Sequence, residues 1–260
     1  MTAHPLKPQL FTQVLVPLAP SPRGRAALAA AIDLAAAVGA RLEGLFVEDP
    51  RLARLSALPF AREVESLTAA ARGLGEADLE RAFRVEAAHL RQLRVEEAQR
   101  ARIEFTFEVA RGEVDAEVAA RAADLTVLLG TAGSTPRAGA RAPAPRSRVM
   151  ALYDATDAAV RGLAAAARLA RATAGELLIL VPQGDALAAA EAAAHARAWL
   201  ESEGLVGTAL VLPATTSALR WAVRLHHGRM LTLPAPAMTA LALDLAALAD
   251  EPACAIVLVR

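Results

Sequence analysis

Among its 260 residues the chain has one cysteine, one lysine and one tyrosine, and Phe, Trp and Tyr together make up only 3%. With Cys254 alone, no intramolecular disulfide can form and no metal site can rest on paired thiolates. Inside Ala253-Cys254-Ala255-Ile256-Val257-Leu258-Val259 it reads as a small buried thiol in a strand. The scarcity of aromatics means that the core of a chain that is 55% apolar must be built from Ala, Leu and Val. An excess of one charge is also missing: 28 Lys+Arg face 28 Asp+Glu, which argues against a protein built to coat nucleic acid or an anionic membrane. Arg or Asp interrupts every Ala-rich stretch, so none approaches the roughly 20 apolar residues of a membrane span. Pro5, Lys7, Pro8 and Gln9 break up the N-terminus before a signal-like apolar core can form. A cytoplasmic address is the expectation, with neither nucleic acid nor membrane as partner.

What is present is self-similarity. Gln13–Pro50 lies over Arg148–Asp185 without a gap, at a constant offset of 135. In each copy an apolar run of about five residues reads as a strand buried on both faces, as parallel strands do. A helix follows, opened by Ser21-Pro22 in the first copy and by Thr156 or Asp157 in the second. Gly39 and Gly175 are expected to end these helices, where a left-handed residue is easiest. Strand, helix and strand at this spacing form a βαβ unit, and two of them predict a parallel sheet.

The first copy continues with a strand closing at Gly44–Glu48 and a helical region at Arg51–Arg72. A helix at Glu76–Arg102 carries an apolar stripe of Leu79, Phe83, Leu90 and Leu93. A strand at Glu104–Ala110, a helix at Val114–Ala123 and a fourth strand at Leu125–Leu129 complete it. The second copy has strands at Leu177–Val181, Thr208–Leu212, Met230–Leu233 and Ala255–Val259. Its later helices are expected at Ala186–Glu203, Ser217–His226 and Met238–Leu248. Thr131–Ser147, with Pro136, Pro143 and Pro145, reads as an exposed linker. The expected domains are therefore residues 1–147, with four strands, and residues 148–260, with five.

A first strand reading Val14-Leu15-Val16-Pro17-Leu18, a long helix from Ala26 to Leu42 and a terminal Ala255–Arg260 strand together resemble the universal stress protein family. Phe46-Val47-Glu48-Asp49-Pro50 and Leu58–Val64 look like its bacterial tandem branch. The resemblance implies an α/β fold of two tandem Rossmann-like, adenine nucleotide alpha hydrolase-like domains, the first lacking its fifth strand. In relatives that bind ATP it further implies an Asp at the end of the first strand. A G-x2-G-x9-G-[ST] loop after the fourth strand holds the phosphates there through backbone amides.

Each copy keeps only part of that pattern. Gly130-Thr131-Ala132-Gly133 matches the opening G-x2-G, but Pro143 stands where the third glycine belongs, and Ala19 replaces the Asp. In the second copy Asp154 is in place, whereas the fourth strand runs into Pro234-Ala235-Pro236, which cannot offer the needed N–H groups. Gly130, Gly133 and Ser134 are candidates for a small anion nest, with Arg137, Arg141, Arg146 and Arg148 nearby; a strand-ending turn is the plainer explanation. Asp154, with Thr156 and Asp157, suits either a ribose or the cap of a helix.

His226-His227 reads as a helix C-terminus favoured by the dipole, because adjacent histidines do not share a helix face as metal ligands must. His4, His89 and His195 have no partner that the sequence can assign. Glu48-Asp49 ends a strand at the edge where open α/β sheets bind ligands, and Trp199 and Trp221 are expected in the core or at subunit contacts. No nucleophile elbow occurs. The expectation is a non-catalytic, stress-linked binding or regulatory protein without a cofactor, with an unidentified protein partner. The alternative is an adenine-nucleotide binder, taking ATP or AMP, or a slow ATPase using Gly130–Gly133 and Asp154. The resemblance also implies that the fifth strand of one domain meets that of its partner; losing it from the first copy would leave Ala255–Val259 free to pair with another chain, and a homodimer is expected.

Overall fold

The structure, a computed structural model, describes residues 10–18, 22–48, 62–64, 71–73, 81, 85, 101–128, 148–184, 186–205, 207–251 and 254–260. The first half comprises Gln13–Leu18 (β1), Pro22–Val38 (α1), Arg41–Glu48 (β2), Arg62–Val64 (β3), Ala71–Gly73 (β4), Phe105–Arg111 (β5), Val114–Ala120 (α2) and Leu125–Leu128 (β6). The second comprises Arg148–Leu152 (β7), Asp157–Ala172 (α3), Glu176–Gln183 (β8), Ala186–Ser202 (α4), Gly207–Pro213 (β9), Thr216–Leu225 (α5), Gly228–Pro234 (β10), Ala235–Ala240 (α6), Leu245–Ala249 (α7) and Ala255–Val259 (β11). The repeat is visible in space: β1, α1 and β2 begin at 13, 22 and 41, and β7, α3 and β8 at 148, 157 and 176, each 135 residues later.

Nine strands form one sheet in the order β5-β2-β1-β6-β11-β10-β7-β8-β9. Neighbours within each half are parallel, and the two half-sheets meet through a single antiparallel pair, β6 with β11, in which Leu128 faces Ile256 and Leu125 faces Val259. The expectation that Ala255–Val259 would remain free for another chain is thereby corrected. The β6 edge of the first half is filled from within the same molecule, so its N–H and C=O groups find partners.

Alternate residues of each central strand enter different cores, as the period of two requires. On one face Val14, Val16, Val149, Ala151, Ile179 and Val257 join one buried cluster that spans both halves, covered by α1, α3 and α4. On the other face Met150, Leu152, Leu231 and Ile256 pack in the second half, and Leu15, Leu45 and Ala123 in the first. Helices α1 and α3 touch each other across the junction, where Arg168 donates to the Val38 carbonyl at 3.2 Å.

Asp124 closes the junction. Its Oδ2 accepts from the Thr12 backbone N–H at 2.7 Å, the Thr12 hydroxyl at 2.8 Å and the Gln13 N–H at 3.2 Å, while Oδ1 accepts from Arg161 of α3 at 2.7 Å. Partial burial alone would raise its pKa, but these donors outweigh that and hold the carboxyl below its usual 3.8. Arg161 and Arg168 also lie 5.6 and 5.9 Å from the ring centroid of the fully buried Phe11.

Two other expectations are corrected. Within Arg51–Arg72 the described residues form no helix: β3 pairs antiparallel with β4, Arg62 facing Gly73 and Val64 facing Ala71, and glycine is a poor helix residue at that point. Most of Glu76–Arg102 lies outside the described residues. Met238–Leu248 is two short helices. The Leu243 N–H reaches back to the Met238 carbonyl at 2.9 Å, Ala242 turns left-handed at φ +48°, and the Asp244 side chain then caps α7 by accepting from the Ala247 N–H. Cap chemistry outweighs an unbroken apolar pattern there.

Gly39 is left-handed at φ +72°, as expected at the end of α1, but its counterpart after α3 is Ala174, at φ +49°, rather than Gly175. Gly175 instead donates to the Ala170 carbonyl at 2.8 Å to close the turn. A Cβ in that conformation is strained, so Ala174→Gly is expected to stabilise the protein by about 0.5–1 kcal/mol in urea unfolding, the relieved strain exceeding the added chain entropy. Asp124→Ala is expected to cost about 2 kcal/mol, since it removes charged hydrogen bonds at a site with little solvent access. Because the folded pKa of Asp124 is depressed, its contribution is complete above pH 3.8 and is lost as pH falls through the folded value. The difference in melting between wild type and Asp124→Ala should therefore be flat from neutral pH to about 4 and shrink below it.

Candidate functional site

β7 delivers Tyr153 and Asp154 to the carboxyl end of the second half-sheet, where open parallel sheets place ligands. Tyr153 stays in the sheet, donating its N–H to the Leu180 carbonyl at 2.9 Å, and its ring is 2% exposed. Its hydroxyl lies 2.8 Å from Nδ1 of His195 on α4, the rings meeting edge to face at 5.9 Å and 75°. Burial and the neighbouring Asp154 carboxylate push the Tyr153 phenol above its ordinary value of 10. His195, which the sequence leaves without a partner, thus has one contributed from 42 residues away.

Asp154 turns back on the chain. Its Oδ1 accepts from the Thr156 hydroxyl at 2.6 Å and the Thr156 N–H at 3.2 Å, Ala155 between them being left-handed at φ +62°. Thr156 is the N-cap of α3, accepting from the Ala159 N–H at 3.2 Å. The capping explanation of Asp154 and Thr156 therefore has a direct geometric basis. Asp154 also lines a cleft of about 440 Å³. The floor of the cleft is Val181, Pro182 and Gly184 of β8 and its end, and its far wall is the Ala188, Ala189 and Ala192 face of α4, with Glu191 and His195 as polar members. Small side chains on that face of α4 leave the space open.

The other sequence candidates are dispersed. Gly130, Gly133 and Ser134 lie outside the described residues, as do Arg137, Arg141, Arg146 and Asp49. Because β6 runs antiparallel to β11, β10 and β7, its last described residue, Leu128, leaves the sheet at the end opposite Asp154. Arg148 is engaged with Glu176 at 2.9 Å and with His226 Nδ1 at 2.9 Å. Burial first, then the Arg148 and His227 charges, lower the His226 pKa. His226 is the C-cap of α5, so the pair does mark a helix C-terminus, and its Nδ1 accepts from the Arg148 guanidinium. Glu48 is bound to Arg111 at 2.8 Å. β10 does run into Pro234, which caps the six-residue α6 without a side-chain hydrogen bond. Trp199 packs on the core, whereas Trp221 is 56% exposed on α5, which leaves the core alternative to Trp199. Among the described residues no cluster of His, Cys, Asp and Glu suited to a metal ion occurs, and no helix is long and apolar enough to cross a membrane.

The fold and the cleft define a doubly wound α/β protein with two half-sheets in one molecule and a ligand-sized space at a carboxyl edge. No protein-family model matches the sequence, and no curated protein does. Solved structures do match. A universal stress protein from Archaeoglobus fulgidus DSM 4304 superposes with a TM-score of 0.61 at 13% identity, over 96% of this chain and 98% of that one. A candidate universal stress protein from Pseudomonas aeruginosa UCBPP-PA14 gives 0.53 at 13% identity, over 96% and 94%. A functionally unknown protein from Pseudomonas aeruginosa PAO1 gives 0.54 at 11% identity, over 96% and 93%. The chain has the universal stress protein fold.

Since Tyr153 is the chain's single tyrosine, tyrosinate absorbance reads this site alone. The phenol is expected to ionise above pH 10 in the folded protein. Asp154→Asn should move that titration downwards by removing the adjacent negative charge, and an unchanged curve would contradict the assigned cause.

Proposed function

We propose that the chain is a non-catalytic, stress-linked binding and regulatory protein of the universal stress type, working in the cytoplasm. Its ligand site is the cleft between Tyr153 and α4, and it holds no complete triphosphate site. The observation that carries this reading is the chemistry at that end of the sheet. A cleft of ligand size opens beside Asp154, about 440 Å³, yet the neighbouring strand β10 ends in Pro234 and α6 begins Ala235-Pro236. Two prolines within three residues remove the N–H groups on which a phosphate would rest, and the place of a glycine loop is taken by a short helix.

Nothing in the cleft calls for catalysis. Tyr153 is buried against His195, and Asp154 is tied to Thr156. The test is thermal melting with and without Mg-ATP, together with mass spectrometry of any small molecule released on denaturation. The expected result is no ATP-dependent rise and no co-purified nucleotide. Saturation at 100 times Kd would add about 2.7 kcal/mol, and a shift of that order would establish a nucleotide site and overturn the proposal.

A further inference from the structure

We infer that the cleft beside Tyr153 is selective for a small organic cation, a primary amine carried on an apolar body. This rests on the cleft being the ligand site proposed above and deepens that reading by assigning the ligand's charge.

The lining has two carboxylates, Asp154 and Glu191, and among the described residues no Arg or Lys. Asp154 is oriented by Thr156 through Oδ1, while its Oδ2 and the Glu191 carboxylate have no hydrogen-bond partner among the described residues. His195, the one basic ring in the lining, has its Nδ1 committed to the Tyr153 hydroxyl. A concave site lined by one sign of charge concentrates the opposite charge and repels its own. The remaining surface is apolar, with Val181, Pro182 and the alanine face of α4, and suits a hydrocarbon or aromatic body rather than a second polar group. An ammonium group in the cleft would be a charge-assisted donor to carboxylate oxygens that otherwise lack one.

The experiment holds the body constant and varies the charge. Phenethylamine, 2-phenylethanol and 3-phenylpropionate are titrated into the full chain, with binding followed by calorimetry and by protein NMR shifts. The same titrations are run on Asp154→Asn/Glu191→Gln and on Ala192→Leu, which fills the cleft, each variant first shown to be folded by circular dichroism. The amine is expected to bind at least fivefold more tightly than the alcohol, and the carboxylate not to bind. The amine's advantage should vanish in the Asn/Gln variant, and all binding should vanish in Ala192→Leu. If the alcohol binds as tightly as the amine and Ala192→Leu abolishes both, the charge inference is overturned while the cleft remains the ligand site. If nothing binds, or if binding persists in Ala192→Leu, both the inference and the site reading fall.

Discussion

The molecule depends on the antiparallel pairing of β6 with β11. Each half is a parallel sheet whose inner edge would otherwise present a row of unpaired backbone donors and acceptors, and here the two edges satisfy each other. The direction of that pairing has a functional consequence. In open α/β sheets ligands lie beyond the carboxyl ends of strands, and because β6 and β11 run oppositely, the carboxyl ends of the two halves point to opposite ends of one sheet. The cleft beside Tyr153 and any site at the end of β1 are therefore back to back. Asp124, Arg161, Arg168 and Phe11 seal the same junction from the side, combining four hydrogen bonds accepted by Asp124, one of them an ion pair, with two guanidinium groups on a buried ring.

The composition is a packing solution as well as a bias. Alanine lets α1 and α3 approach both the sheet and each other, so a single buried cluster runs under both halves. The same residue on α4 has the opposite effect at Ala188, Ala189 and Ala192. At those three positions no larger side chain fills the gap between α4 and Asp154, and the space that remains is the cleft. Small residues thus close one interface and open another, according to whether a helix or solvent faces them.

With one lysine in the chain, arginine makes the polar cross-links. Arg121 is bonded to Glu43 of β2, Glu108 of β5 and Glu117 of α2, and these pairs outweigh its partial burial and raise its pKa. Glu251, 3% exposed, is gripped by Arg220 and Arg224 of α5; the Arg224 bonds are the main cause of its lowered pKa. The planar, multiply donating guanidinium suits such shared carboxylates better than a point-charge ammonium does. Asp154 and Glu191 differ from Glu43 and Glu251 in facing open space instead of an arginine, which gives the cleft its character.

Much of the fold was legible from one dimension. The offset of 135 located β1, α1 and β2 and their copies β7, α3 and β8, because strand and helix periodicities are local properties of a few consecutive residues. The sequence also exposed Pro234-Ala235-Pro236, since a missing N–H belongs to the residue itself. Helix ends were less legible. Gly175 was a sound candidate, yet the left-handed position fell on Ala174, and Asp244 divided an apolar run that local pattern joins. What only the tertiary structure decided are the pairings between distant residues: β11 with β6, Asp124 with Arg161, and Tyr153 with His195. No periodicity names a partner 42 residues away, as His195 is from Tyr153, or 128 away, as Ile256 is from Leu128. The choice falls to whichever arrangement leaves no buried hydrogen-bonding group unpaired, and that is a property of the whole packed chain.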